Sequence, residues 1–242
     1  MNKNKKVLFW DMETTYLQAR IWRLGEQVVR HDQLVESRDR YDIICIAYAW
    51  NDGKPPKILH WDYSKQNSAK MVAEFDKIIR SADIVIGKNS DRFDNKQLNT
   101  LRMLHGQYGM PDWTKYTDDL EKQIRKHFYL PSNSLDYLSK LLGYGAKTKM
   151  EFDDWIDIVE KRKKGRIKFK KMLGYCKRDV VVTRASWNRV EEYVTPKLQY
   201  KTGCKNCGGN NLKKDGVRYQ GVNIYQERHC NDCHRYAGRV KI

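Results

Sequence analysis

Val7-Leu8-Phe9-Trp10-Asp11-Met12-Glu13-Thr14-Thr15 is an apolar, β-prone run that ends in two carboxylates spaced i and i+2. Side chains alternate faces along a strand, so Asp11 and Glu13 point the same way. Two anions on one side of an otherwise buried strand repel each other, and a cation is what makes that arrangement tolerable. The stretch therefore reads as half of a metal site, and the other half has to come from later in the chain.

Downstream, residues 15 to 40 form an irregular, charged insertion with some strand character around Ala19 to Leu24 and Gln27 to Val35, and their role is not legible from periodicity. Tyr41 to Trp50 reads as a strand, Asn51-Asp52-Gly53-Lys54-Pro55-Pro56 as a turn, and Lys57 to Tyr63 as the returning strand. A helix with Met71, Val72, Phe75, Ile78 and Ile79 on one face leads into the short buried strand Ile84-Val85-Ile86-Gly87. Asn89-Ser90-Asp91-Arg92-Phe93-Asp94 opens a second helix, a strand is expected near Lys115 to Asp118, and three short helices follow at about 119–128, 133–142 and 151–162. The last long helix is expected from Phe169 to Tyr193, with Pro196 just past its end. An antiparallel meander followed by alternating helix and strand implies an α/β fold with a ribonuclease H-like mixed sheet flanked by helices. Residues 1–195 would form this domain, and residues 196–242 a small C-terminal zinc β-ribbon.

On the last helix Tyr175 and Asp179 are i and i+4 and share a face, while Met172, Val182 and Trp187 pack that helix on the sheet. The chain thus offers Asp-x-Glu on its first strand, Asn-x-x-x-Phe-Asp before a helix, and Tyr-x-x-x-Asp on the final helix. With these three motifs in this order, the chain resembles the DEDD superfamily of 3′→5′ exonucleases in its tyrosine-bearing branch, whose relatives include the proofreading domains of DNA polymerases. It looks most like the predicted exonucleases of bacteriophages, which share the Leu8-Phe9-Trp10-Asp11-Met12-Glu13-Thr14-Thr15 opening, the segment from Pro131 to Leu138, and a C-terminal zinc ribbon. In the other branch of the superfamily a histidine stands five residues before the last aspartate; here that position is Gly174.

The resemblance implies Asp11, Glu13, Asp94, Asp179 and Tyr175 as the catalytic set, with the four acids holding two Mg²⁺ or Mn²⁺ ions. Hard divalent cations prefer oxygen ligands and, in pairs, hold the attacking water and the leaving 3′ oxygen on either side of a phosphorus. Asp11 is the natural bridging ligand. A phenol has an ordinary pKa near 10 and is a poor base at neutral pH, so Tyr175 is assigned to orienting the water and the metal to deprotonating it. Thr14 and Asn89 either contact the terminal nucleotide or cap turns. Asp118 and Asp136 lack the motif context of the other acids, and His60 and His127 read as structural or surface residues.

Cys204-Lys205-Asn206-Cys207 and Cys230-Asn231-Asp232-Cys233 are separated by 22 residues with strand-like Val222 to Tyr225 among them. Two knuckles around a β-hairpin suit a tetrahedral four-thiolate Zn²⁺, so His229 and His234 are not needed as ligands. A ribbon this small cannot bury a large core, and its zinc should supply much of its folding energy. From Pro196 onward ten Lys or Arg face three acids, a net +7, which favours a grip on nucleic acid over a purely structural cap. The run Lys161-Arg162-Lys163-Lys164-Gly165-Arg166-Ile167-Lys168 reads equally as a solvated loop or a phosphate-contacting one.

Over the whole chain, 47 Lys and Arg against 30 Asp and Glu give a formal charge of +17, which suits a polyanionic partner better than a small neutral ligand. No apolar run approaches the roughly 18 residues of a membrane span, and the basic start leads only into a short apolar run cut by Asp11, so a soluble, cytoplasmic protein is expected, in the host cytoplasm if phage-encoded. Cys45 and Cys176 stand alone in sequence, consistent with a reducing compartment. The expected function is 3′→5′ hydrolysis of DNA or RNA, with single-stranded DNA or 3′ ends as partner and replication or recombination proteins as further partners. The rivals are a structure-selective endonuclease or transposase-like nuclease of the same fold, and a non-catalytic nucleic-acid-binding module.

Overall fold

The computed structural model describes residues 5–23, 25–26, 28–106, 117–145, 149–194, 203–204, 207, 209–221 and 223–241. The chain divides into two compact units, Met1–Glu191 and Glu192–Ile242. In the first, five strands form one mixed sheet: β1 (Val7–Thr14), β2 (Ile43–Trp50), β3 (Lys57–His60), β4 (Ile84–Gly87) and β5 (Thr117–Asp119). Their spatial order is β3-β2-β1-β4-β5, antiparallel through the first three and parallel from β1 to β4 to β5.

Alternation along β1 sorts the two faces. Leu8, Trp10 and Met12 join a core with Met71, Val72, Phe75 and Ile79 of α1 (Ala69–Arg80) and Leu98 and Leu101 of α2 (Asp94–Leu104). The α1 residues recur at helical spacing, and Trp10 lies 5.1 Å from Phe75 between ring centres. Each such side chain removed from water contributes roughly 1.5–3 kcal/mol. Val7, Phe9, Asp11 and Glu13 belong to the opposite face by the same alternation. There the sheet is covered by α6 (Gly165–Val190), which packs on β1 and β2. Around α6 lie α3 (Leu120–His127), α4 (Leu135–Leu141) and α5 (Phe152–Val159).

The helix α6 starts at Gly165, four residues before its expected beginning at Phe169. Half of the basic run is therefore helical. A Cβ on Gly165 would stand 2.2 Å from Asp157 O and from Tyr63 Oη, so only glycine lets α6 begin this close to α5. The charges of the run are also tied down: Lys161 Nζ donates to Ser64 O at 2.6 Å, Arg162 pairs with Glu160 at 2.8 Å, and Arg166 stacks on Tyr63. These contacts favour a structural role for most of the run.

Among its described residues, which leave out Leu24 and Gln27, the insertion at 15–40 carries no strand, only the isolated bridge Ala19–Leu34 and two short 3₁₀ turns. Its contacts do what its periodicity could not announce. Tyr16 Oη donates to Glu160 at 2.9 Å and Arg38 donates to Val159 O at 3.2 Å, joined by Gln66 from the loop after β3, whose Nε2 reaches Ile158 O and Val159 O, both at 3.1 Å. The orphan carbonyls at the end of α5 are thereby satisfied.

The second unit is a three-stranded antiparallel sheet, β6 (Leu212–Gln220), β7 (Asn223–Cys230) and β8 (Tyr236–Lys241), in that order. The expectation had been a hairpin, and β8 adds a third strand after the second cysteine pair. Lys115, Pro196, Val222 and the Lys205-Asn206 step lie outside the described residues. No helix among the described residues is long and apolar enough to cross a membrane.

Candidate active site and cysteine cluster

Asp11 and Glu13 sit on the α6 face of β1, both half-buried, and Glu13 is the cross-strand neighbour of Cys45. Between Glu13 and Thr14 the register with β2 slips, so the strand bends just after its carboxylates. Carboxylate oxygens of Asp11 and Glu13 and the sulfur of Cys176 lie within 4.8 Å of one another. Cys176 Sγ is 3.5 Å from Asp11 O and 3.9 Å from Asp11 Oδ2, which fixes α6 against β1 at the carboxylates. Burial, the neighbouring Cys45 and the two acids all push the Cys176 thiol up, so it is a neutral packing group.

On α6 the buried positions Phe169, Met172, Cys176, Asp179, Val180, Thr183 and Trp187 recur every three or four residues. Asp179 is 4% exposed in the middle of that stripe, where an apolar residue is the usual occupant. Tyr175 is half-buried one turn earlier, and its ring meets the Trp155 ring of α5 edge-on at 6.4 Å and 81°. Asp154 beside that tryptophan accepts from Lys168 and, at 2.9 Å, from Lys171 of α6. Burial alone would raise the Asp154 carboxyl, but the two lysines and the Glu151 N–H outweigh it and hold it down to about 2.

Asp94 arrives from the β4 side. The parallel pairing of Phe9 with Ile86 sets the end of β4 beside the carboxylate half of β1. A Cβ on Gly87 would meet Ser90 Cβ at 2.5 Å, so glycine is needed for the chain to fold back there. Asn89 then takes a left-handed conformation (φ 58°) and its N–H donates to Asp119 Oδ1 at 2.8 Å. Asp119 also accepts from Asp91 N and, as the N-cap of α3, from Glu121 N at 2.9 Å. Asp94 is buried at the first position of α2. Burial, reinforced by the charge of Asp119 and opposed by Lys88, pushes its pKa up to about 7.

Asp94 and Asp179 stand outside the 4.8 Å group that Asp11 and Glu13 form with Cys176. Among the described residues, therefore, the four acids are not one tight cluster. Thr14 is half-buried at the end of β1, and the Asn89 side chain is exposed beside Asp119. The other candidates have local partners: Asp118 Oδ1 accepts from Asp119 N and Gln123 Nε2, Asp136 pairs with Lys140, and His60 Nδ1 is 2.8 Å from Trp61 O. Sequence reading passed over Asp119 and Cys176. Both had a signal: Asp119 precedes a helix as a cap, and Cys176 lies one residue after Tyr175 on the site helix.

In the second unit Cys204, Cys207, Cys230 and Cys233 bring their sulfurs within 4.8 Å of one another. The pairs Cys204–Cys233 and Cys207–Cys230 are 3.5 and 3.6 Å apart, too far for disulfides at about 2.05 Å. Four sulfurs bonded to zinc at about 2.3 Å would span a similar edge, so the donor set fits a tetrahedral ion. Burial and the neighbouring thiols push Cys233 up to about 12, a crowding that a bound cation would reverse. His229 pairs with Asp215 at 3.2 Å, outside the sulfur group.

No family model matches the chain, and no curated protein matches it in sequence. Among solved structures it is similar to the family B DNA polymerase from the hyperthermophilic archaeon Pyrobaculum calidifontis, with a TM-score of 0.57 and 15% identity over 81% of this chain and 25% of that chain. The chain thus spans about a quarter of that polymerase's length, and at this identity the likeness is one of fold.

Proposed function

We propose that the chain is a metal-dependent 3′→5′ exonuclease with a ribonuclease H-like catalytic domain of the tyrosine-bearing DEDD type, followed by a zinc ribbon that helps hold nucleic acid. The observation that carries this reading is the meeting of Asp11 with Cys176, 165 residues apart in sequence, which brings the Asp-x-Glu strand against the helix of Tyr175 and Asp179. The polymerase-like fold agrees with a resemblance whose relatives include proofreading domains.

Asp11, Glu13, Asp94 and Asp179 would hold two Mg²⁺ or Mn²⁺ ions, which when bound supply an activated water and a counter-charge for the leaving 3′ oxygen. Tyr175, edge-on against Trp155, would orient that water through its hydroxyl. Asp94, whose carboxyl burial pushes up to about 7, would join that set as the carboxylate. Thr14, at the end of β1, and Asn89, just past β4, would contact the terminal nucleotide.

Substituting the acids tests the reading. Asp94→Ala or Asp179→Ala should abolish release of mononucleotides while the protein stays folded and binds oligonucleotide. Tyr175→Phe keeps every ligand and should slow turnover by about 10- to 1,000-fold with metal affinity little changed. Full activity in either aspartate variant would refute the assignment, and cleavage at internal positions would point to an endonuclease.

A further inference from the structure

The two faces of the β6-β7-β8 sheet differ in kind. On one, Arg218, Tyr225 and Lys241 form a single cross-strand row with the tyrosine on the central strand. The guanidinium of Arg239 lies 4.4 Å above the Tyr225 ring, although the cross-strand neighbour of Arg239 is Glu227. Glu227 is instead 3.7 Å from Arg218, and the face's other acid, Asp215, pairs with His229. On the other face, Val217, Tyr219, Ile224 and Val240 are all exposed by 37% or more, and Lys214 and Arg228 lie closer to the cysteines.

We infer that the Arg218–Tyr225–Lys241 row, with Arg239, is a binding site for single-stranded nucleic acid. An aromatic ring at the centre of a sheet, with a cation on either side, matches how unpaired bases are held: the ring takes a base face and the cations take the flanking phosphates. Arg239 extends the stacking surface and adds charge to it. Such a site reads no sequence, since every base has a π face. The proposal rests on the chain's being a nucleic-acid protein but not on its cleaving anything.

The test is binding of labelled oligothymidylate to the full zinc-loaded chain, with no Mg²⁺, Mn²⁺ or chelator added and the oligonucleotide verified intact. Tyr225→Leu keeps a bulky strand residue and should weaken binding about 10-fold with the salt dependence unchanged. Arg239→Gln with Lys241→Gln should lower the slope of log affinity against log salt by about 1.4, at roughly 0.7 per phosphate contact. Val217→Thr and Tyr219→Ser, on the opposite face, should leave affinity and slope as they were, and zinc content should be equal in all variants. Normal affinity in Tyr225→Leu, or a loss confined to the opposite-face variants, would overturn the proposal while leaving the nuclease reading standing. A wild-type chain that binds no nucleic acid would refute both.

Discussion

At the scale of single residues, Asp94 carries the most specific electrostatic consequence. Its carboxyl is raised to about 7 in the folded protein, first by burial and then by Asp119, against about 3.9 in an unfolded chain. Between those values the folded state binds the extra proton, so without metal the fold loses stability as pH climbs from about 4 to 7. A cation that takes the charged form removes this penalty. Mn²⁺ should therefore raise the melting temperature more at pH 8 than at pH 6, and Asp94→Asn should flatten the difference. Equal metal stabilisation of the wild type at both values would show that Asp94 is not a ligand. Asp94 itself was legible as the last letter of Asn-x-x-x-Phe-Asp. Asp119 was legible only as a helix cap; its hold on the preceding loop through the Asn89 and Asp91 N–H groups was not, because those partners lie about 30 positions away.

At the scale of elements, α5 links the site helix to the insertion. Its Asp154 holds Lys168 and Lys171 of α6, its Trp155 meets Tyr175, and its last carbonyls are bound by Arg38 and Gln66. Because the Asp154 carboxyl is held down to about 2, its contribution to stability is present above the unfolded value near 3.9 and is lost as pH falls toward 2. Both lysines are partly open to water, at 28% and 35%, which discounts the pair. Asp154→Asn should cost about 1–2 kcal/mol in urea unfolding at pH 6 and markedly less at pH 3. A cost that did not shrink in acid would mean the residue acts by shape, not charge. The helical faces of α1 and α6 and the buried strands could be read from apolar spacing alone. The insertion could not, since it is held by side chains, Tyr16 and Arg38, that reach a distant helix end, and its few backbone bonds, such as Gln18 N–H to Arg38 O and Val35 N–H to Gln18 O, form no regular ladder.

At the scale of the whole molecule, the α/β order was legible because the meander, the βα alternation and the paired cysteines each leave a short-range pattern. The strand β8 was missed because its alternation lasts only six residues, Tyr236 to Lys241, with a glycine inside. Motifs at residues 11–13, 89–94 and 175–179 lie on three separate elements, and the chemistry proposed for them has a direction along the substrate. Digestion of DNA and RNA oligonucleotides labelled at one end or the other, with Mg²⁺ or Mn²⁺ and with neither, reads that direction. A 3′ label should leave at once as mononucleotide, and a 5′ label should step down a ladder, in both cases only with metal. Loss of a 5′ label as mononucleotide, a single internal cut, or cleavage without divalent metal would contradict the account.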